Sequence, residues 1–402
     1  MKVLLCHTFY QQQGGEDVSF AAEADLLERC GHEVIRYTRH NDALSGMSRI
    51  GAAWRTFWNG AVYREVRRLI RERRPEVMHC TNTFPLLSPA IYYAARAERV
   101  PVVQSLRNYR LMCPSAVFLR DGKVCESCLG KGLAWPGVIH RCYRGSLAGS
   151  AVVAGMLAWH RLIGTWRNAV DLYFTPSAFA RGKYIEAGFD PARVAVKPNF
   201  IDPDPRPGQG DGGYAILVGR LAEGKGIDTV LAAWARCPEA PPLWFVGDGP
   251  LADTVRAAAA ADSRIRLLGH RRHAEVLELV GAAAFLVMSS TWYETFGRTI
   301  IEAFARGTPV LASRLGAMAE LVEDGRTGLL FTPGDAADLA ASVRRISTDR
   351  GIVAPMRAEA RRVYLEKYTA DRNLPQLLAL YERAQTLHAA RTVLPRRRGL
   401  IS

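Results

Sequence analysis

The chain has 402 residues, 49% of them apolar and 23% charged, the balance of a soluble globular protein with more than one core. Its formal charge is +14, and residues 1–200 hold most of it, with 27 Lys and Arg against 16 Asp and Glu. No apolar run is long enough to span a membrane, no cleavage site for a secretory leader follows Lys2, and no nucleic-acid motif accompanies the positive charge.

Residues 1–10 read as a first strand, and a helix is expected from Asp17 to about Cys30. The loop between them carries Gly14 and Gly15, where the first βα turn of a Rossmann-like domain meets its ligand. It lacks the full dinucleotide fingerprint, which argues against NAD. The loop is either ligand-facing or an ordinary flexible turn. Residues 31–34 begin a second strand. Residues 50–74 read as one long helix ended by Pro75, with Trp58, Val62, Val66 and Leu69 on one face. Arg64, Arg67, Arg68 and Arg71 fall on the opposite face. That face is either simply solvated or rests on anionic lipid headgroups. Residues 77–80 and 101–106 are further strands, ending in polar runs that include Asn82, Arg107 and Asn108.

Cys113, Cys125, Cys128 and Cys142 follow, spaced C-x11-C-x2-C-x13-C. The central pair with an outlying cysteine on each side suits four thiolates around a structural zinc, with His140 as an alternative ligand. Reduced unliganded thiols and a redox pair are the other readings; stable disulfides are not expected in a cytosolic chain. A small hairpin is expected around Asp121 and Gly122. Residues 145–159 are uncharged, and a packed helix is expected there rather than one dipping into a membrane. Strands over 170–175 and 194–198 close this half, and the Pro-, Gly- and Asp-rich residues 199–213 form a linker.

In the second half, the strand at 214–218 runs into Gly219, Arg220, Leu221, Ala222, Glu223, Gly224, Lys225 and Gly226. Two cations in a Gly-rich strand-to-helix turn are what a diphosphate requires. The Walker A order is absent. A third strand end, LWFVGDGPL, places Gly247 at its turn. An apolar strand at 282–287 then leads to SSTWYETFGR and a helix. The backbone near Phe296, Gly297, Arg298 and Thr299 lies at that helix's N-terminus, a ready anion site. Glu294 and Glu302 flank it, one carboxylate suited to a sugar and the other to a ribose, or else both are ordinary helix and surface residues.

Taken together, GRL-x-x-x-KG, VGDGP, the Glu294/Glu302 pair and EAFARGTPVLAS resemble the donor domain of the retaining glycosyltransferases of the GT4 family. The resemblance covers almost the whole chain. It implies an α/β fold of GT-B type, two Rossmann-like domains facing a cleft, here with a small Cys-rich insertion at about 113–142. An acceptor domain at 1–200, a linker at 201–213 and a donor domain at 214–370 follow from it. A last helix at about 371–390 would pack back on the first domain, before a disordered basic tail at Arg396, Arg397 and Arg398.

The implied partners are a nucleoside-diphosphate sugar and a glycan or lipid-linked acceptor, with an anionic membrane surface for a cytoplasmic enzyme held peripherally at the inner face. No nucleic acid is implied. The implied catalytic residues are Glu294, Arg220 and Lys225. Gly14, Gly15, Gly219, Gly247, Phe296, Gly297, Arg298, Thr299 and Glu302 would bind the donor; Asn82, Arg107 and Asn108 would face the acceptor. Arg107 stands where many relatives carry a His, and a guanidinium cannot serve as a general base. It could instead hold an acidic or phosphorylated acceptor. With cations and amides set against the diphosphate, no catalytic metal is required, and no Asp-x-Asp pair is read as holding one. The remaining readings are a sugar-nucleotide epimerase or phosphorylase on the same fold, or a degenerate membrane-binding scaffold.

Overall fold

The structure, a computed structural model, describes residues 1–12 and 14–393, apart from the side chains of 350, 392 and 393. The basic tail at Arg396, Arg397 and Arg398 lies outside these residues. The first half runs β1 (Lys2–Phe9), α1 (Gly15–Arg29), β2 (Glu33–His40), α2 (Arg49–Phe57), α3 (Gly60–Arg73), β3 (Val77–Cys80), α4 (Ala90–Ala97) and β4 (Val102–Ser105). An excursion follows, with the hairpin β5 (Leu119–Arg120) and β6 (Lys123–Val124), then α5 (Trp135–Ile139), α6 (Leu147–Leu162) and α7 (Thr165–Asn168). The chain returns through β7 (Leu172–Thr175), α8 (Ala178–Glu186) and β8 (Val194–Val196).

The second half alternates more regularly. It runs β9 (Ala215–Val218), α9 (Ile227–Ala235), β10 (Leu243–Val246), α10 (Ala252–Ala261), β11 (Ile265–Gly269), α11 (His273–Ala282), β12 (Phe285–Met288) and α12 (Arg298–Ala305). Then come β13 (Val310–Ser313), α13 (Gly316–Leu321), β14 (Gly328–Phe331), α14 (Ala336–Thr348), α15 (Arg350–Lys367) and α16 (Ala370–Val393).

Each half builds a six-stranded parallel sheet, in the orders β2-β1-β3-β4-β7-β8 and β11-β10-β9-β12-β13-β14. Strands covered by helices on both faces are apolar nearly throughout, which is why VMHC, AILV and FLVM read as unbroken runs. In β1, Val3 and Leu5 pack on one face against Phe20, Ala24 and Leu27 of α1 and Leu377 and Tyr381 of α16. Leu4 and Cys6 pack on the other face against Val62, Val66 and Ile70 of α3. The last helix of the chain therefore completes the first sheet. The two crossings between halves touch, Ile201 N donating to Tyr368 O at 3.0 Å.

The single helix expected over 50–74 is two helices. Trp58 is extended, with φ −155° and ψ 113°, and the Asn59 side chain accepts from Val62 N to start a new helix. An Asn N-cap followed by Gly outweighs the continuing apolar period. The expected packed helix at 145–159 is α6. It buries Ser150, Val153, Ala154, Met156, Leu157 and His160 along one side only.

Candidate functional site

A cleft of about 460 Å³ lies between the two sheets. It opens at the carboxyl ends of β1 and β4 on one side and, on the other, at those of β9 and β12. There the strand order reverses, and open α/β sheets bind ligands at such points. The first half contributes Gly15, Glu16, Arg107 and Asn108 to its wall. The second contributes Gly219, Lys225, Trp292, Glu294, Phe296, Gly297, Arg298, Thr299 and Glu302.

On the second side the backbone comes first. Gly297 caps α12 with φ +99°, and a Cβ there would meet Ile300 Cδ1 at 3.0 Å and Met288 Cε at 3.3 Å. The position is left-handed and crowded, so glycine is required. It supplies no side-chain cap, which leaves the first-turn amides of α12 for an anion. Beside them Lys225 Nζ donates to Glu294 Oε1 at 2.6 Å. The same oxygen accepts from Ser290 Oγ at 2.7 Å and Trp292 Nε1 at 2.6 Å. Burial pushes the Glu294 carboxyl up, but Lys225 and the two neutral donors outweigh it and hold it below the usual range. Two residues read separately in the sequence thus form one ion pair. Glu302 is buried and accepts from Arg298 Nε at 3.0 Å, one turn earlier on the helix.

Arg220 is exposed and does not line the cleft. Gly247 also lies outside its wall. A Cβ there would sit 1.9 Å from Gly219 O, so this glycine lets the ends of β9 and β10 touch. Gly14 is fixed from behind: its amide donates to Asp17 Oδ2 at 2.9 Å, and Asp17 Oδ1 meets the buried His7 Nε2 at 2.7 Å. These bonds tie the end of the turn to β1 and α1.

The first side is built on buried charge. Arg107 Nη2 donates to Glu23 Oε1 at 2.7 Å, and its Nη1 donates to Asn199 Oδ1. Lys197 Nζ lies 2.8 Å from the same Glu23 oxygen and donates to Asn373 Oδ1 of α16 at 2.7 Å. Burial pushes Glu23 up, yet the two cations bring it down to about 2. Close by, burial lowers His79 to about 4, and its Nδ1 lies 3.0 Å from Tyr381 OH. Arg107 is therefore engaged by Glu23 inside the protein, but that one carboxylate is shared with Lys197, so the cluster keeps a positive charge in excess at the cleft wall. Asn82 is likewise turned inward, donating to Thr8 O at 2.8 Å and accepting from Phe84 N at 3.1 Å.

Glu16, which directly follows the glycine pair, was not among the site residues expected from the sequence. Its Oε1 accepts from Asn108 Nδ2 at 2.7 Å, while Oε2 is buried with no partner among the described residues. Burial raises its carboxyl above the ordinary range. The two halves are pinned around the cleft. Thr295 Oγ1 donates to Arg107 O at 2.9 Å, and both oxygens of Glu320 accept from the Ala178 and Phe179 amides of α8 at 2.8 Å. An Asp-x-Asp pair does exist, Asp202 and Asp204 in the linker. These carboxylates are engaged by Arg29 and Arg361, away from the cleft wall.

Residues 14–199 match the family model described as Glycosyl transferase 4-like domain, and residues 213–349 match Glycosyl transferases group 1. The chain belongs to the GT4-type glycosyltransferases. Glycogen synthase of Mycobacterium tuberculosis is 35% identical over 193 residues, which are 46% of this chain and 44% of that protein. The gpi3 subunit of phosphatidylinositol N-acetylglucosaminyltransferase of Schizosaccharomyces pombe is 23% identical over 355 residues, 85% of this chain and 71% of the relative. The chain thus spans less than half of the first of these relatives. HepE of Anabaena, solved with UDP, superposes with a TM-score of 0.66 at 19% identity, covering 97% of this chain and all of that one. The likeness to HepE is one of fold: two Rossmann-like domains facing a cleft, the GT-B arrangement.

The family likeness does not account for the cysteines. Cys113, Cys125, Cys128 and Cys142 line one cavity of about 10 Å³ together with His140. As they stand they do not form a metal site: among the described residues no three His, Cys, Asp or Glu side chains gather to hold an ion. Cys113 Sγ lies 3.1 Å from Ser115 Oγ, and Cys125 Sγ lies 3.4 Å from Ser127 Oγ. Burial, with the neighbouring thiols adding to it, pushes Cys128 up to about 11 and Cys142 above its usual value.

Proposed function

We propose that the protein is a retaining glycosyltransferase. It moves a sugar from a nucleoside-diphosphate sugar to a glycan or lipid-linked acceptor in cell-surface polysaccharide or lipid-linked glycan assembly. The observation that carries this reading is the Lys225–Glu294 pair, at 2.6 Å, beside the uncapped N-terminus of α12 in a two-domain cleft. Solved relatives described as complexes with UDP and UDP-glucose support the donor class. A relative named for phosphatidylinositol supports a lipid-linked acceptor.

When the donor enters, its diphosphate competes with Glu294 for Lys225 and takes the α12 amides. Glu294 Oε1 keeps Ser290 and Trp292, and the carboxylate turns to the sugar hydroxyls. Glu302 takes the ribose hydroxyls, and Arg220 joins by turning in from its exposed position. The bond from C1 to the diphosphate oxygen breaks, and its electron pair leaves with the diphosphate. The acceptor hydroxyl bonds to C1 on the same face, and its proton passes to the departing phosphate oxygen. Fixed donors aimed at the growing charge are commonly the largest catalytic contribution. No metal is assigned a step.

The four cysteines are proposed to take one structural zinc after turning away from their hydroxyl partners, since four thiolates suit zinc. Elemental analysis near one equivalent, lost on Cys128→Ser, is the expected result; a metal-free, active preparation would end that reading. The protein is proposed to act at the cytoplasmic face of the cell membrane. For the transfer itself, calorimetry with UDP-, GDP-, ADP- and dTDP-sugars should find one base preferred. NMR of the product should show the donor's anomeric configuration kept. An inverted product would overturn the retaining mechanism, and no binding by any of the four would overturn the donor reading.

A further inference from the structure

Twelve large hydrophobic side chains are exposed among the described residues, and ten of them lie in residues 50–58 and 133–163. Chance exposure over a whole surface would scatter them. Ile50 and Trp54, 84% and 74% exposed, fall one turn apart on α2. Trp135 and Ile139 occupy the two ends of α5, 52% and 60% exposed. On α6, Trp159 and Leu162 are 52% and 79% exposed, opposite the side that the helix buries.

These helices form one layer. The Phe57 ring at the end of α2 packs on Gly155 of α6, and His160 Nε2 lies 2.9 Å from Phe57 O. Ala134, beside α5, and Ala154 of α6 share a small apolar cluster. The layer sits next to the cleft. A narrow cavity of about 40 Å³ is lined by Thr56 of α2, Met156 of α6 and Trp166 of α7 on one side and by Arg107 and Asn108 on the other.

The charge around this face has one sign. Residues 43–64 and 131–170 contain no Asp or Glu at all. Arg49, Arg55, Lys131, Arg141 and Arg144 are exposed, and none of them is ion-paired among the described residues. The basic face of α3 differs. There Arg67 and Arg71 both engage Glu98, at 2.6 Å and 2.9 Å, and Arg68 lies 3.7 Å from Glu72.

We propose that α2, α5 and α6 together form a seat that lies in the interfacial layer of an anionic bilayer. The tryptophans and aliphatic side chains enter the headgroup boundary, and the unpaired cations meet the lipid phosphates. A second copy of the chain is the poorer occupant. An isologous dimer would set these cations against themselves with no acidic residue on α2, α5 or α6 to answer them. The seat rests on the proposed lipid-linked acceptor only for its purpose, since it would hold the acceptor side of the cleft at the membrane. The binding itself requires no substrate.

The test is sedimentation of the full chain with vesicles, one set pure phosphatidylcholine and one carrying phosphatidylglycerol. The expected result is binding to the anionic set only, weakened by salt but not abolished. Trp54→Ala with Leu162→Ala should lower vesicle affinity at least tenfold with an unchanged melting temperature. Arg64→Gln, Arg67→Gln, Arg68→Gln and Arg71→Gln together should lower it less. A parent that ignores anionic vesicles, or a Trp54→Ala/Leu162→Ala protein that binds as well as the parent, would overturn the seat. So would a parent dimer that this double variant dissociates, which would reassign the face to a second copy. UDP-, GDP-, ADP- and dTDP-induced thermal shifts on the same preparations report on the donor reading independently. A parent chain that shows a nucleotide shift but no binding to anionic vesicles condemns the seat alone.

Discussion

The two walls of the cleft are made in different ways. The second-domain wall is assembled from short segments: Lys225 from one loop, and Ser290, Trp292 and Glu294 within five residues of another, all meeting at one carboxylate oxygen. The first-domain wall stands on Glu23, Arg107, Lys197, Asn199 and Asn373, buried side chains that four separate segments bring together. A ligand can exchange partners with the first kind of cluster, because its members face the cleft. The second kind cannot release a member without leaving a buried charge alone. The second-domain wall is therefore suited to chemistry and the wall behind Arg107 to holding shape.

The largest expected effect is on that buried cluster. Glu23→Ala leaves Arg107 and Lys197 without their carboxylate and should cost about 3–5 kcal/mol, read from denaturant melts. The pH dependence has a defined sign. Glu23 titrates near 2 in the folded protein against an ordinary 4.5, so its contribution is complete above pH 4.5 and is lost as pH falls toward 2. His79, near 4 against an ordinary 6.5, adds to acid destabilisation, because below pH 6.5 the unfolded ring takes up the proton first. Removing Glu23 should flatten the stability curve between pH 4.5 and 2; an unchanged slope there would show that its charge does not stabilise the fold.

Next is the donor wall. Glu294→Gln should reduce transfer by about 100-fold or more while nucleotide affinity stays within a few-fold, since a fixed group acting in the transition state has a value of this order. Equal losses in binding and turnover would mean that Glu294 is part of the structural frame instead. Lys225→Ala should cost about 1.5–3 kcal/mol, roughly tenfold or more in kcat/KM. The same variant removes the main influence lowering the Glu294 carboxyl, so the acid limb of the pH–rate profile should move up. A limb that stays in place would uncouple the two residues.

The smallest effect tests Glu16, the buried carboxyl that lies on the first wall but faces the cleft. With its pKa raised by burial, it should contribute an acid limb to kcat/KM above the ordinary carboxylate range. Glu16→Gln should change the rate only several-fold at neutral pH, about 1 kcal/mol for a neutral hydrogen bond, and should remove that limb. An identical pH profile in the variant would make Glu16 a spacer.

Much of this was legible in the sequence, for a definable reason. Parallel strands covered on both faces must be apolar, so their positions could be read one by one, and the turns after β9 and β12 announce themselves through glycine, cation and carboxylate within a few residues. Gly297 belongs to this class, because a left-handed helix cap is a local demand. What was misread was misread locally as well. The Asn59 cap inside an unbroken apolar period divided an expected single helix.

The sequence by itself determined the alternating α/β pattern and the family likeness, because each rests on chain neighbours. Only the tertiary structure decided which partner each charge has. It turned Arg107 inward to Glu23 and joined Lys225 to Glu294. It left Glu16 half unpartnered, and it left α6 packed along one side with Trp159 and Leu162 exposed. Burial and charge pairing depend on residues distant along the chain, and a one-dimensional pattern records the type of each residue but not the group that comes to face it.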